Sequence, residues 1–304
     1  MSEATHDLSA KYLVDPYLNW ARAEGVPIVE GAMLDLLTLE TKPWARFGVK
    51  GAICHVEGRC DFLSTFLFEI APGHSSTSSK HLYEDCFYVL EGAGVTQINL
   101  SDGSHHEIAW AEGCAFTTPI NATCIHRAEG ASPARLVSFN DLRYLMGLYR
   151  NENFLFQNAS PMSARQAKAI QGPLCVDLAS HEADAALRLG DSVLGATFTS
   201  LAPGAATQAT RQMQGAHLLG VMGEGTTVSL VSKDADRITT HWRRGCLTGL
   251  TGMEFHQHRN ISNAPVAFLK VEFGSQATPL FRSRRAAYGD TEVYASGNAV
   301  LATI

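Results

Sequence analysis

The chain contains an internal repeat, which limits the folds open to it more than any other feature. Ala71-Pro72-Gly73 recurs as Ala202-Pro203-Gly204, 131 residues later, and Trp110-x-x-Gly113-Cys114 recurs as Trp242-x-x-Gly245-Cys246, 132 residues later. Three further matches keep the same order: Gly92 with Gly223, Ile125-His126-Arg127 with Gln257-His258-Arg259, and Pro133 with Pro265. Five ordered matches at nearly one offset indicate a duplicated domain.

Each copy has the pattern of an all-β domain. Short apolar runs such as 87–90 and 136–139 are bounded by Gly, Pro, Asn and Asp, as is typical of strands and turns. Ser101-Asp102-Gly103-Ser104 predicts a hairpin turn. Both faces of the run 87–90 are apolar, which favours a sheet covered on both sides, by the second barrel or by a second subunit.

The repeat also predicts the domain boundaries. We expect an N-terminal arm over 1–44, a first barrel over 45–145, a connecting segment over 146–190, a second barrel over 191–275 and a tail over 276–304. Short helices are predicted near 16–24 and 163–170, and the arm and the connection are expected to wrap the two barrels.

Composition excludes several classes of protein. Of 304 residues 45% are hydrophobic, which is too apolar for a disordered chain, and the net charge of −6 argues against nucleic-acid or anionic-membrane binding. No apolar run is long enough to span a membrane, and the first thirty residues lack the apolar segment of a secretory signal. Seven cysteines without a CxxC pair favour free thiols in a reducing cytoplasm.

The spacing of polar residues in the first copy is distinctive. Gly73 is followed at regular intervals by Ser79, His81, Asp85 and Gly92, and Gly113 is followed by Pro119 and His126. This spacing resembles the two motifs of the cupin superfamily, Gly-x5-His-x-His-x3-4-Glu-x6-Gly and Gly-x5-Pro followed by His. The resemblance covers about 45–140 and 190–275, and it implies two tandem cupin (double-stranded β-helix or jelly-roll) barrels, a bicupin. Segments 38–46 and 81–84 are also similar to a subgroup of bacterial bicupins, a similarity that implies no particular reaction.

The cupin motif implies metal binding inside the barrel. His81 and Asp85 have the same strand parity, so both can point inward, and His126 would approach from an opposite strand. Two imidazoles and one carboxylate form a facial triad suited to Fe(II) or another divalent metal. Serine at position 79 replaces the first family histidine, and Asp85 is one methylene shorter than the family glutamate, so the site has at most three ligands.

The second copy departs further from the motif. Thr210, Gln212 and Ala216 occupy the three ligand positions of its first motif. Glu254, His256 and His258 alternate and can line one face, either as metal ligands or as an acid/base group in a metal-free pocket.

Other residues admit a functional and a structural interpretation. Cys124, near the position of the family histidine, can be a soft ligand, a nucleophile or, more commonly, a buried thiol. His217 interrupts an apolar strand and favours a hydrogen-bonded core histidine over a ligand. Nucleotide-binding, serine-hydrolase and HExxH motifs are absent from the sequence.

Three functions remain open from the sequence. The first is an enzyme, for example one with dioxygenase-like chemistry, that acts on a small organic molecule through Fe(II) held by His81, Asp85 and His126. The second is a metal-independent lyase, isomerase or cyclase that uses His256 and His258, with Glu254. The third is a non-catalytic protein that binds a small molecule. In each case we expect a cytoplasmic homodimer.

Overall fold

The computed structural model describes residues 15–57, 62–100, 102–156, 174–180, 186–187, 194–212, 215–230, 236–273 and 291–293. The helix predicted near 163–170 lies outside these residues.

A short helix, α1 (Pro16–Ala23), opens the described chain close to where the sequence predicts one. The side chain of Asp15 accepts hydrogen bonds from the backbone N–H groups of Tyr17 and Leu18, and proline occupies the first turn. Tyr17 and Trp20 are buried against the first barrel, so the helix is held by its aromatic face.

The arm continues as three short strands, β1 (Ile28–Gly31), β2 (Met33–Asp35) and β3 (Lys42–Trp44). Strands β1 and β3 both pair with β4 (Val49–Val56) of the first barrel, whereas β2 pairs with a strand of the second barrel. The arm therefore contributes to the sheets of both barrels.

The first barrel is formed by two sheets that enclose one core, and their described strand pairs are antiparallel except that β1 runs parallel to β4. Its remaining strands are β5 (Ser64–Ile70), β6 (Ser79–Lys80), β7 (Asp85–Glu91), β8 (Ala93–Asn99), β9 (His105–Ala111), β10 (Cys114–Thr118), β11 (Thr123–Ala128) and β12 (Ala134–Asn140). Helices α2 (Leu142–Tyr149) and α3 (Glu152–Leu155) follow, and β13 (Cys175–Asp177) joins the edge of β10. Among the described residues, the sheets run β1-β4-β5-β12-β7-β10-β13, with β3 beside β4, and β6-β11-β8-β9.

The second barrel repeats this arrangement. Its strands are β14 (Ala186–Leu187), β15 (Leu194–Leu201), β16 (Thr210–Gln212), β17 (Ala216–Met222), β18 (Glu224–Leu230), β19 (Ile238–Arg243), β20 (Cys246–Leu250), β21 (Phe255–Arg259), β22 (Val266–Phe273) and β23 (Thr291–Val293). Within the described chain the sheet orders are β14-β15-β22-β17-β20-β2 and β19-β18-β21-β16-β23.

Backbone irregularities also repeat between the barrels. The pairing of β7 with β12 skips Leu90, and the pairing of β17 with β22 skips Val221, its repeat equivalent. The glycine two residues after each bulge has positive φ, 86° at Gly92 and 67° at Gly223. The duplication predicted from turn residues therefore extends to a matched bulge and turn in each copy.

The central strands are buried on both faces, as the apolar run 87–90 predicts. Phe87 and Val89 point into the first barrel's own core, whereas Tyr88 and Leu90 join a second cluster shared by both barrels. This shared cluster includes Leu67 and Phe139 from the first barrel and residues of β17 and β22 from the second, among others. Barrel-to-barrel packing within one chain therefore covers the outer face of this run.

Polar contacts also cross this interface. Thr65 Oγ1 lies 2.7 Å from His217 Nδ1, and Arg244 donates to the carbonyl of Leu90 at 2.8 Å and to Glu112. His217 is thus a buried, hydrogen-bonded core histidine, the interpretation that the sequence favours.

No helix in the described residues is long and apolar enough to cross a membrane. The six cysteines in this part of the chain carry free thiols, as their scattered spacing predicts.

The shared core between the barrels makes a testable contribution to stability. Leu67 is fully buried there, so Leu67→Ala is expected to lower the free energy of unfolding by about 2–5 kcal/mol, measured by urea denaturation. Leu148→Ala, at a side chain 58% exposed on α2, is the control and should change the free energy of unfolding by less than about 0.5 kcal/mol. Equal effects of the two substitutions would contradict a stabilising role for the interface.

Candidate active site

The first barrel contains a cavity of about 410 Å³. Most of its wall is apolar, and its polar groups come from one region of the barrel. The lining residues are Phe47, Val49, Phe68, Ile70, Ser76, Ser79, His81, Tyr83, Asp85, Phe87, His126 and Leu136. The three residues that the sequence groups together, His81, Asp85 and His126, thus line one cavity.

His81 and Asp85 form a close pair, but Asp85 begins β7 whereas His81 lies in the bend before it, so the predicted strand parity of the two residues does not apply. His81 Nε2 lies 3.1 Å from Asp85 Oδ2, and its Nδ1 lies 2.9 Å from the carbonyl oxygen of Tyr83, on whose ring the imidazole stacks at 3.7 Å. Ser138 donates a hydrogen bond to Asp85 Oδ1 and in turn accepts one from Asn140. Both imidazole nitrogens of His81 therefore contact oxygen atoms of the protein, one of them the Asp85 carboxylate.

His126 is positioned by a chain of hydrogen bonds across the second sheet. Trp110 Nε1 donates to Thr96 Oγ1 at 2.9 Å, and that hydroxyl lies 2.8 Å from His126 Nδ1. Among the described residues, His126 Nδ1 is the acceptor available to the hydroxyl hydrogen of Thr96. Nδ1 therefore accepts this hydrogen bond, and the proton of the neutral imidazole is on Nε2. Burial lowers the pKa of His126 to about 4, although the Asp85 carboxylate acts in the opposite direction.

In each barrel a glycine makes room for the tryptophan of this hydrogen-bond chain. A Cβ at Gly94 would lie 2.4 Å from Trp110 Cη2, and one at Gly225 would lie 2.4 Å from Trp242 Cζ2. A larger residue at either position would therefore displace the indole from the hydroxyl that it binds.

The second barrel has a cavity of about 300 Å³ with the same hydrogen-bond chain. Trp242 Nε1 donates to Thr227 Oγ1 at 3.1 Å, and this hydroxyl lies 2.9 Å from His258 Nδ1. Burial lowers the pKa of His258 to about 3. His258 therefore also presents an Nε2–H group to its cavity.

The other two residues of the predicted polar strip differ from His258. His256 lines the cavity, but its Nε2 donates to the Thr251 carbonyl at 2.8 Å and its Nδ1 lies 2.9 Å from the Ser229 hydroxyl. Both ring nitrogens are thus held by the protein. Glu254 lies in the bend before β21 and does not line the cavity, because the strand begins one residue later.

Comparisons with known proteins agree with this duplicated architecture. A family model described as a cupin domain matches residues 66–140. Two solved structures of single-residue variants of Bacillus subtilis oxalate decarboxylase align with TM-scores of 0.57 and 0.58, at 13% identity, over 81% of this chain and 78% of theirs. The chain has the fold of two tandem cupin barrels. A further structure, from a study of the Mn(II) centres of the same Bacillus subtilis enzyme, aligns over the same shares at 13% identity with a TM-score of 0.56. No curated protein sequence matches this chain.

The donors in the first barrel only partly fit a metal ion. His81 Nε2 and Asp85 Oδ2 are separated by about the distance between adjacent ligands of one ion, and His81 donates its other N–H to a carbonyl, as ligating histidines do. His126 has the opposite tautomer, with hydrogen on the nitrogen that a metal would need. Among the described residues no cluster of three or more His, Cys, Asp and Glu side chains is arranged to hold a metal ion. The three-ligand site stays a prediction.

The remaining candidates from the sequence have simpler roles. Ser79 lines the first cavity in place of the family histidine. Cys124 is buried outside the cavity lining, and burial raises the pKa of its thiol to about 12. A thiol that stays protonated is a weak ligand and a weak nucleophile, so Cys124 has the structural role that its sequence environment favours.

Sequence reasoning missed the tryptophan–threonine–histidine chain in both barrels. Trp110 and His126 belong to the recognised repeat, and the signal for the third member is that Thr96 and Thr227 also lie 131 residues apart. Sequence reasoning also missed Lys270, which occupies in the second barrel the repeat position of Ser138 and lines the second cavity.

The histidine tautomers can be tested by nitrogen-15 NMR at pH 7. Wild-type His126 and His258 are expected to carry hydrogen on Nε2. Thr96→Val should shift His126 toward a tautomer mixture and cost about 1–3 kcal/mol of stability, since it leaves buried groups unpaired. Thr227→Val is the matched control and should affect His258 alone. Hydrogen on Nδ1 of wild-type His126 would overturn the assignment.

The low pKa of His126 predicts a pH-dependent contribution to stability. An unfolded histidine takes up a proton near pH 6.5 and folded His126 only near pH 4, so its contribution is lost as pH falls through this window. As pH falls from 6.5 to 4, the free energy of unfolding of wild type should decrease by on the order of 1 kcal/mol per pH unit relative to that of His126→Gln, measured by urea denaturation.

Wild type is compared with His126→Gln because a second buried group, Asp141, changes the pH dependence of stability in the opposite direction. Burial, together with the Glu84 charge, raises the pKa of Asp141 to about 8, so its contribution favours the folded state at lower pH. His74→Gln, at an exposed histidine, is the control and should follow the wild-type curve. Parallel curves for wild type and His126→Gln would refute the shifted His126 pKa.

Proposed function

We propose that the first barrel is the active site of an enzyme that moves a proton on a small organic molecule with a carbonyl group and an apolar body. The observation that carries this proposal is the meeting of His81, Asp85 and His126 in one cavity whose remaining wall is largely apolar. Apolar pockets with a few convergent polar groups are typical small-molecule sites.

Asp85 is the base in this proposal. Both ring nitrogens of His81 contact oxygen atoms of the protein, and His126 presents an N–H, so the Asp85 carboxylate supplies the lone pairs that face the cavity. Ser138 and His81 hold its two oxygens in a fixed orientation. Asp85 would remove a proton from the carbon next to the carbonyl group.

His126 stabilises the charge that this step creates. The electron pair left on carbon moves to the carbonyl oxygen, which becomes an enolate, and the Nε2–H of His126 donates to that oxygen. His81 then returns a proton to another atom, which gives an isomer, or the enolate expels a leaving group, which gives a lyase. The aromatic and aliphatic wall excludes water and strengthens both interactions.

The second barrel is a poorer site for this reaction. His256 has both ring nitrogens bound by the protein, and Ala216 replaces the aspartate. Its His258 is therefore a matched control for His126.

Deuterium exchange into simple carbonyl compounds tests the proposal. A panel of small 2-oxo acids and β-dicarbonyl compounds is incubated in D₂O with the protein, and exchange next to the carbonyl is followed by proton NMR. Asp85→Asn and His126→Gln should each slow exchange by about 10²–10⁴-fold, whereas His258→Gln should not. Exchange that survives Asp85→Asn, or its absence across the wild-type panel, would contradict proton abstraction by Asp85.

A second candidate keeps a divalent metal, Fe(II) or Mn(II). The 3.1 Å separation of His81 Nε2 and Asp85 Oδ2 favours it, as do the Mn(II) centres of the structurally similar Bacillus subtilis enzyme. His81 and Asp85 would hold the ion, the bound molecule and water would complete its ligands, and His126 would contact the bound molecule. A metal supplies Lewis-acid chemistry and, as Fe(II), the oxygen chemistry of a dioxygenase.

Metal analysis separates the two candidates. The protein is purified without a metal-affinity tag, loaded anaerobically with Fe(II) or Mn(II), and analysed by elemental mass spectrometry. The second candidate predicts about one ion per chain in wild type and in His258→Gln, and none in His81→Gln. A stoichiometry near zero in wild type would eliminate it. Cytoplasmic location and a homodimer stay predictions.

A further inference from the structure

The second cavity differs in charge from the first. No carboxylate side chain belongs to its described lining, which comprises Thr210, Ala216, Leu250, Thr251, His256, His258 and Lys270. Ala216 stands where the first barrel has Asp85, and Lys270 stands where it has Ser138. Glu272 stands where the first barrel has Asn140, so the second barrel has a lysine–glutamate pair on this strand and no carboxylate at the position of Asp85.

The ammonium group of Lys270 has more N–H donors than it has partners among the described residues. Lys270 lies on β22, next but one to Glu272, and its Nζ is 3.3 Å from Glu272 Oε2. Within the described residues this is the one polar contact of its ammonium group, which has three N–H donors. Glu272 does not belong to the cavity lining, whereas Lys270 does, so of the two charged residues the lysine borders the open space.

His258 supplies a second donor. His258 is 7% exposed, and its Nδ1 is hydrogen-bonded to the Thr227 hydroxyl. Its Nε2–H has no hydrogen-bond partner among the described residues. Since His258 lines the cavity, this N–H group can donate to a ligand or to water there. The hydroxyl groups of Thr210 and Thr251 add neutral donors to the same wall.

The rest of the cavity is suited to a short apolar group. Leu250 and Ala216 line it, so a small bound molecule would contact apolar surface there as well as the polar groups. A fully hydrated inorganic anion would leave these apolar surfaces uncovered, whereas a small organic acid covers them.

We propose that the second barrel binds a small organic carboxylate, held between Lys270 Nζ and His258 Nε2, with its apolar part against Leu250 and Ala216. This site is separate from the one in the first barrel and does not depend on the reaction proposed there.

Sodium propionate is the probe for this site, and binding is measured by isothermal titration calorimetry and by carbon-13 NMR of the histidine rings. Saturable 1:1 binding is expected, with a shift of the His258 resonance. Propionamide, the neutral isostere, should bind at least about tenfold more weakly, since it loses the charged hydrogen bond. Binding of inorganic phosphate but not propionate would overturn the assignment to a carboxylate.

Two lysine variants test the role of the charge. Lys270→Met should lower propionate affinity at least about tenfold. Lys50→Met is the matched control, because Lys50 is also paired with a glutamate, Glu69, at 3.4 Å, but lies on the first barrel. Equal affinity of Lys270→Met and wild type, or no saturable binding to wild type, would refute the proposal.

A second variant keeps the test decisive if Lys270→Met folds poorly. Glu272→Gln removes the carboxylate that competes for Lys270 and should tighten propionate binding. A purely structural Lys270–Glu272 pair predicts no gain. Asp85→Asn, in the other cavity, should leave propionate affinity unchanged, so that failure of the first-barrel mechanism and failure of this site are distinguishable.

Discussion

The structure depends on strands that are buried on both faces. In β7, β12, β17 and β22, alternate side chains point into the strand's own barrel and into the core that the barrels share. Such strands cannot face water on either side, so neither barrel can keep its large sheet in place without the other. The paired bulges at Leu90 and Val221 lie in these same strands, where they end the regular pairing just before a tight turn.

This constraint explains why the fold is predictable from the sequence and the site only partly so. Glycine, proline and tryptophan positions repeat because turns and close packing require them, and they are sufficient to predict two barrels. Parity predicts that His81 and Asp85 share a face, since side chains two or four apart do so in an extended chain. The two side chains do meet, but His81 lies in the bend between Lys80 and Asp85 and not in a strand, so strand parity is not the reason. The hydrogen-bonding state of His126 is not predictable in this way, because it is set by Thr96 and Trp110 on other strands.

The same limit applies to the second barrel. Alternation places Glu254, His256 and His258 on one face, but alternation holds only within a strand, and β21 begins at Phe255. Spacing likewise cannot show that the Thr251 carbonyl is within reach of His256, since it lies outside the strand. Lys270 gives no clear signal because in sequence it interrupts an apolar run, where a lysine is as easily attributed to a strand edge as to a barrel interior.

The comparison of the two barrels separates what the scaffold fixes from what it leaves free. Both keep a tryptophan, a threonine and a histidine in one hydrogen-bond chain, and in both a hydroxyl, from Ser76 or Thr207, binds the backbone N–H of that histidine. These groups hold a neutral N–H donor toward each cavity at the same place. The charged residues beside it differ: a carboxylate paired with His81 in one barrel, and a lysine paired with Glu272 in the other. A fixed neutral donor beside a charge that differs between the barrels allows one duplicated framework to bind and polarise different molecules. The donor orients an oxygen atom of the bound molecule, and the charge selects which kind of molecule binds.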